Sequence, residues 1–152
     1  MNNIHRPVLL AEAVTAMISG PSFQPNSAVL IEGTFGRGGH TQALLNVLGK
    51  ESKLIAFDKD PEAIAKAQSL CDPRLQIIHS SFANIEQHIQ RASVDAVLLD
   101  LGISSPQIDT PERGFSFRFE GPLDMRMDTT HGISAQEWLV SAAVDEITQV
   151  IK

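Results

Sequence analysis

The sequence predicts an α/β fold: a partial parallel sheet of four strands in the order 3-2-1-4, with helices on both faces. Three observations lead there. The apolar runs at residues 28–31, 54–57, 75–78 and 94–99 are each too short for a typical helix. The segments between them can be helices, and strand–helix alternation implies a parallel sheet covered on both sides by right-handed crossovers. The first run leads directly into Glu32-Gly33-Thr34-Phe35-Gly36-Arg37-Gly38-Gly39-His40, with four glycines in seven positions. A strand that stops in such a turn and opens a helix is where open α/β sheets bind nucleotides, at the point where the strand order reverses.

Each element has its own signal. Residues 8–18 carry Leu9, Leu10, Ala13, Val14, Met17 and Ile18 at helical spacing, and Gly20-Pro21 ends that helix. After the glycine turn, Thr41-Gln42-Ala43-Leu44-Leu45 opens a second helix, whose first amides lack intrahelical partners and suit an anion or a polar ligand. Asp60 N-caps a third helix, with Pro61 in its first turn and Glu62 at the positive end of the dipole. Residues 101–132 show scattered Gly, Pro, Phe and Met without a sustained period, which predicts an unusually long irregular loop of functional character. Ser134 with Glu137 three residues on forms a capping box, and a last helix runs from near Val144 to Lys152. No internal repeat or low-complexity tract interrupts the pattern.

Composition narrows the classes. A chain of 152 residues, 43% apolar and 20% charged, is ordinary for one globular domain. The formal charge of −6 offers no overall attraction to nucleic acid or to an anionic membrane. Cys71 stands alone, which excludes an internal disulfide, fits a reducing compartment and reads as a small buried or half-buried residue. No segment has the length of a membrane span, and the first seven residues lack the apolar core of a signal peptide, so a soluble cytoplasmic protein is expected.

The chemistry concentrates at strand ends. Thr41 sits where the third glycine of G-x-G-x-x-G would be, which speaks against a nicotinamide dehydrogenase. The turn instead matches acidic-x-x-x-G-x-G through Glu32, Gly36 and Gly38, a variant suited to a ligand with an amino-acid tail and no pyrophosphate. Asp58 closes the second strand 22 residues after Gly36, where a carboxylate can accept hydrogen bonds from ribose hydroxyls; the alternative is a solvated strand-end acid or a second cap for the helix at Pro61. Phe82 follows the third strand, where it could lie against an adenine or serve as core. The fourth strand ends in Asp100-Leu101-Gly102-Ile103-Ser104-Ser105-Pro106-Gln107, whose acceptors could hold an exocyclic amine; the plain alternative is a β-turn at Pro106. His40 is placed to touch a ligand, whereas His5 and His88 read as surface or packing residues. No residue grouping has the spacing of a structural zinc site, and no nucleophile–base–acid set stands out. Methyl transfer from a sulfonium needs neither, because alignment and electrostatics suffice.

These strings resemble the N-terminal part of the bacterial 16S ribosomal RNA cytosine-N4 methyltransferases. The resemblance includes His5-Arg6-Pro7-Val8-Leu9-Leu10, the glycine turn, Asp58-Lys59-Asp60-Pro61 and the Asp100 to Gln107 stretch. It ends with the specific Arg113-Gly114-Phe115-Ser116-Phe117 and Gly121-Pro122-Leu123-Asp124-Met125-Arg126-Met127-Asp128. It implies a Rossmann-like class I methyltransferase core, S-adenosyl-L-methionine as cofactor and 16S rRNA in the small ribosomal subunit as substrate. Gly38, Gly39 and His40 would contact the methionine part, Asp58 the ribose and Phe82 the adenine region; Asp100 and Gln107 would complete the pocket. Ser104, Ser105 and Pro106 fall where amino-methyltransferases keep their acceptor motif, and with Asp100 they are the expected catalytic group. Glu32 replaces the family's usual Asp, and its longer side chain should still reach the loop backbone or the cofactor's amino group.

The resemblance also divides the chain: residues 1–108 as a partial cofactor-binding core, and 109–152 as the start of an inserted helical substrate domain. Family members are about twice this length. A chain that stops here is expected to bind cofactor weakly and methylate little, and a non-catalytic cofactor-binding or dimerisation module is the alternative reading. Its fourth strand would be a sheet edge, covered by dimerisation, by exchange of elements or by its own C-terminal helices.

Overall fold

The computed structural model describes residues 7–21 and 23–151; His5 and Arg6 of the resemblance lie outside them. Two compact units make up the chain, Met1–Leu101 and Gly102–Lys152.

The first unit holds α1 (Leu10–Ile18), β1 (Val29–Glu32), α2 (Gly39–Val47), β2 (Lys53–Asp58), α3 (Pro61–Gln68), β3 (Leu75–His79), α4 (Ile85–His88) and β4 (Ala96–Leu98). All strand pairs are parallel and the order is β3-β2-β1-β4, as the sequence predicts. Alternation along β1 and β2 splits their side chains between two layers. Leu30 and Leu54 pack against Met17 of α1 and Leu44 and Leu45 of α2, while Ala56 meets Ala63 and Ala67 of α3. Ile31, Ile55 and Phe57 face the other way, toward Ile78, Ile85 and Ile89. The ring of His88 meets that of Phe57 edge-on with centroids 5.8 Å apart, so this histidine is a packing residue. α3 starts as its sequence dictates, with Asp60 Oδ1 accepting from the Glu62 amide at 2.9 Å.

Cys71 departs from expectation. It is exposed, with φ of 50°, because it lies in the turn that leaves α3. At β4, Val97 and Leu99 remain about half exposed, and β4 pairs only with β1 among the described residues.

The second unit holds α5 (Ser105–Asp109), a 3-10 turn at Pro111–Arg113, α6 (Ala135–Ser141) and α7 (Val144–Ile151). Residues 101–132 are therefore less irregular than their sequence suggests. Ser104 and Pro106 belong neither to a loop nor to a simple β-turn: they open α5, whose first turn is braced by the Ser104 amide donating to Gln107 Oε1 at 2.8 Å. The predicted capping box of α6 is present, with Ser134 Oγ accepting from the Glu137 amide at 3.1 Å. The Arg113 to Asp128 stretch folds back on itself. Gly114 adopts φ of 71°, and a Cβ there would press on Pro122 O at 2.5 Å and Asp124 N at 2.6 Å. Arg113 donates to the carbonyls of Arg126 and Met127, each at 3.1 Å, and Arg126 forks onto Asp124. Much of this specific string thus secures its own backbone.

Candidate functional site

The glycine loop is held between the ends of three strands. Gly33 N donates to Leu98 O at 2.8 Å, Phe35 N donates to Phe57 O at 3.0 Å, and Asp100 N donates to Thr34 Oγ1 at 2.8 Å. Asp58 closes the predicted 22-residue spacing directly: its Oδ2 accepts from Gly36 N at 2.7 Å and its Oδ1 from Asp60 N at 2.9 Å. One carboxylate therefore ties the loop after β1 to the entry of α3. The sequence offered ribose binding, a solvated acid or a second cap for Asp58, and tethering of the glycine turn combines with the last.

Two glycines explain the backbone path. Gly38 takes φ of 77° at the N-cap of α2, and a Cβ there would strike the Phe35 ring at 2.7 Å. Gly36 takes φ of 54° with open space where a side chain would be. Phe82 stands beside this loop, since a Cβ on Gly33 would lie 3.0 Å from Phe82 Cβ and would collide with Leu99.

Glu32 is the most unusual group. It is 1% exposed at the end of β1, and its Oε2 accepts a short hydrogen bond from Thr41 Oγ1 on α2. Burial pushes its carboxyl up to about 8; the nearby Asp100 and Asp58 charges add to the rise, and the Thr41 hydroxyl opposes it. Its Oε1 is buried with no hydrogen-bond partner. His40, 4% exposed on the first turn of α2, likewise has a buried, unpartnered Nε2, and its Nδ1 lies 3.9 Å from Asp100 Oδ2. Buried polar atoms are ordinarily paired, so each of these two atoms, on neighbouring elements, has capacity for a polar partner. An unsatisfied Glu32 oxygen with Asp58 and Asp100 nearby suits a cation. A ring nitrogen at the N-terminus of the nine-residue α2 suits a carboxylate. Together they fit the ammonium and carboxylate of an amino-acid tail.

Glu32, Gly36, Gly38, Gly39, His40, Asp58, Phe82 and Asp100 all belong to the first unit, at the ends of its strands or on the loops that follow. Ser104, Ser105, Pro106 and Gln107 belong to the second, at the opening of α5. Two hydroxyls escaped sequence reasoning, Thr34 and Thr41. The signal for Thr41 is a hydroxyl nine residues after an acid and on the buried side of α2. The second unit also carries an open cleft of about 540 Å³ lined by Leu123, Asp124, Arg126, Ser134, Glu137 and Val140. Its charged groups are already paired, Arg126 with Asp124 and Glu137 with Ser134, so nothing there is left to recognise an ion. Among the described residues, no group of three His, Cys, Asp or Glu could hold a metal, and no helix is long and apolar enough to cross a membrane.

Comparison with known proteins adds an independent line. Residues 2–152 match the model of the MraW methylase family. The chain is 61% identical to ribosomal RNA small subunit methyltransferase H of Polynucleobacter necessarius over all of its length and 49% of the relative's. It is 54% identical to the protein of the same description from Burkholderia mallei, over 97% of this chain and 47% of that one. It thus spans about half the length of the curated relatives it matches. A crystal structure from Clostridium thermocellum, of a protein described as an rRNA-methylase, superposes with a TM-score of 0.51 at 22% identity, covering 67% of this chain and 58% of that one. At that identity it speaks for the fold.

Proposed function

Because the chain belongs to the MraW methylase family, we propose that its first unit binds S-adenosyl-L-methionine at the glycine loop, for methyl transfer to the exocyclic N4 of a cytidine in 16S rRNA. The observation that carries the reading is the pair of buried, unpartnered polar atoms, Glu32 Oε1 at the end of β1 and His40 Nε2 on the first turn of α2. Glu32 would take the ammonium, while His40 and the start of α2, with Gly38, Gly39 and the open space at Gly36, would take the carboxylate side of the tail. Asp58 and Phe82 would flank the ribose and adenine. The cofactor supplies a methyl group on a sulfonium, an electrophile that needs no covalent enzyme intermediate.

The chain's own contribution to chemistry is to make a poor nucleophile usable. The N4 lone pair of cytosine is delocalised into the ring, and N4 must shed a proton as its new C–N bond forms. Asp100 is held at the backbone by Thr34 and its carboxylate is half exposed, so it can accept a hydrogen bond from that amine and then the proton. Ser104, Ser105 and Pro106 are the further positions we assign to the acceptor group, and Gln107 the further cofactor contact. For the RNA, Phe117 is fully exposed next to Arg118, a pairing suited to stacking on an unpaired base. Association of the chain with small-subunit rRNA, cytoplasmic action and homodimerisation through the β4 edge complete the proposal.

Titration of the isotopically labelled chain with S-adenosylhomocysteine tests the binding reading. Amide shifts should concentrate at Glu32 to Thr41, Asp58 to Asp60, Phe82 and Asp100. A saturating ligand that moves none of them would refute it. Transfer of tritiated methyl to undermethylated small subunits, followed by nucleoside analysis, tests the N4 assignment.

A further inference from the structure

Glu32 and Thr41 together suggest a device for taking up the ligand's ammonium. A carboxylate has two oxygens, and the Thr41 hydroxyl, wholly buried on α2, occupies one of them. Only Oε1 is left, buried and unpartnered. The groups acting on this carboxyl are the Thr41 hydroxyl and amide, which favour its charge, and Asp100 and Asp58, which oppose it. His40 is the other titratable group at the start of α2, next to Thr41 in sequence. Left to itself, the acid is held neutral chiefly by its burial, to which the surrounding negative charge adds.

We propose that Thr41 is a positioning residue that leaves Glu32 a single free oxygen, and that arrival of an α-ammonium group at that oxygen expels the proton from Glu32. This rests on the cofactor reading above and adds a proton to its binding equilibrium. The balance is simple: the neutral acid loses H⁺ to solvent, the carboxylate forms an ion pair with the incoming R–NH₃⁺, and no other bond changes. With the acid at about 8 in the free protein, close to one proton leaves per ligand bound at pH 7. Cofactor affinity then rises with pH up to that value. Thr41 sets where the rise falls, because its hydroxyl is the largest influence favouring the charged form.

The side-chain carboxyl ¹³C resonance of Glu32, assigned by its loss in Glu32→Gln, reads this directly. In the free chain it should titrate near 8. Saturated with S-adenosylhomocysteine it should titrate at least two pH units lower, whereas 5′-methylthioadenosine, which lacks the amino-acid tail, should leave it near the free value. Thr41→Val should move the free titration upward and weaken S-adenosylhomocysteine binding at pH 7 about tenfold, with Thr41→Ser restoring both. A Glu32 carboxyl already ionised at pH 6 in the free chain overturns the inference, as does an equal displacement by both ligands. Should Thr41→Val fail to fold, the two-ligand comparison on the native chain and Thr41→Ser still decides. If the nucleoside ligand binds elsewhere or not at all, the cofactor reading itself fails, and the amide shifts of the loop distinguish that outcome.

Discussion

Replacing Glu32 by Gln should remove a pH dependence from the stability of the first unit. The substitution keeps the shape of the side chain and its bond to Thr41 but takes away the ionisable proton. In the native chain the carboxyl sits at about 8 against an ordinary 4.5, so between those values the folded state binds more protons than the unfolded one. Stability contributed by this group is therefore full below about pH 4.5 and is lost as pH rises toward 8 and beyond. At about 1.4 kcal/mol per pH unit, the loss between pH 5 and pH 9 is about 4 kcal/mol. For a domain of this size that is a large share of its total stability. Urea unfolding followed by far-ultraviolet circular dichroism at pH 5, 7 and 9 measures it, and amide exchange of β1 and β2 locates it. The difference between Gln variant and native chain should swing by about 4 kcal/mol in the variant's favour from pH 5 to pH 9. Parallel pH profiles for the two proteins would refute the reasoning, since Glu32 would then be ionised in the fold at no cost. The same burial that penalises the free acid is what makes it receptive to a cation.

Other expectations follow from the loop and from the second unit. Gly38→Ala forces a side chain at φ of 77° into the Phe35 ring and should cost about 1–3 kcal/mol, read as a lowered urea midpoint, with loss of ligand-induced shifts at His40 and Thr41. Asp58→Asn removes charge from the acceptor of the Gly36 and Asp60 amides; about 1–3 kcal/mol of stability should go, and nucleoside affinity by at least tenfold, measured by titration of the amide spectrum. In the second unit, Arg126 holds the Asp124 carboxyl below its ordinary range, so the stability it contributes is present above about pH 4 and lost as pH falls further. Fluorescence of Trp138 on α6 should report an acid transition that Asp124→Asn shifts upward; an unchanged transition would mean the fork is decorative.

Much of the construction of the glycine loop is legible in the sequence. Glu32, the glycines and Asp58 announce themselves because strand ends, positive-φ turns and acid spacing are local in the sequence, and the 22-residue gap from Gly36 to Asp58 is the length of one helix-and-strand crossover. The α6 capping box is equally local. Residues 101–132 were harder, because α5 is five residues long and its start is written in Ser104 and Gln107 rather than in any apolar period. Cys71 misled for a related reason: composition says what a cysteine usually does, whereas its exposure follows from the turn after α3.

The amino-acid sequence by itself determined the strand order, the switch point and the identity of the acids at the loop, since apolar runs, glycines and caps act through nearest neighbours along the chain. Only the tertiary structure decided the state of Glu32. Pairing Glu32 with Thr41 across β1 and α2, and bringing Asp58 and Asp100 close enough to oppose its charge, are acts of packing. Desolvation and Coulomb energies depend on distances that no linear spacing contains, and those distances raise an ordinary glutamate far above the usual carboxyl range.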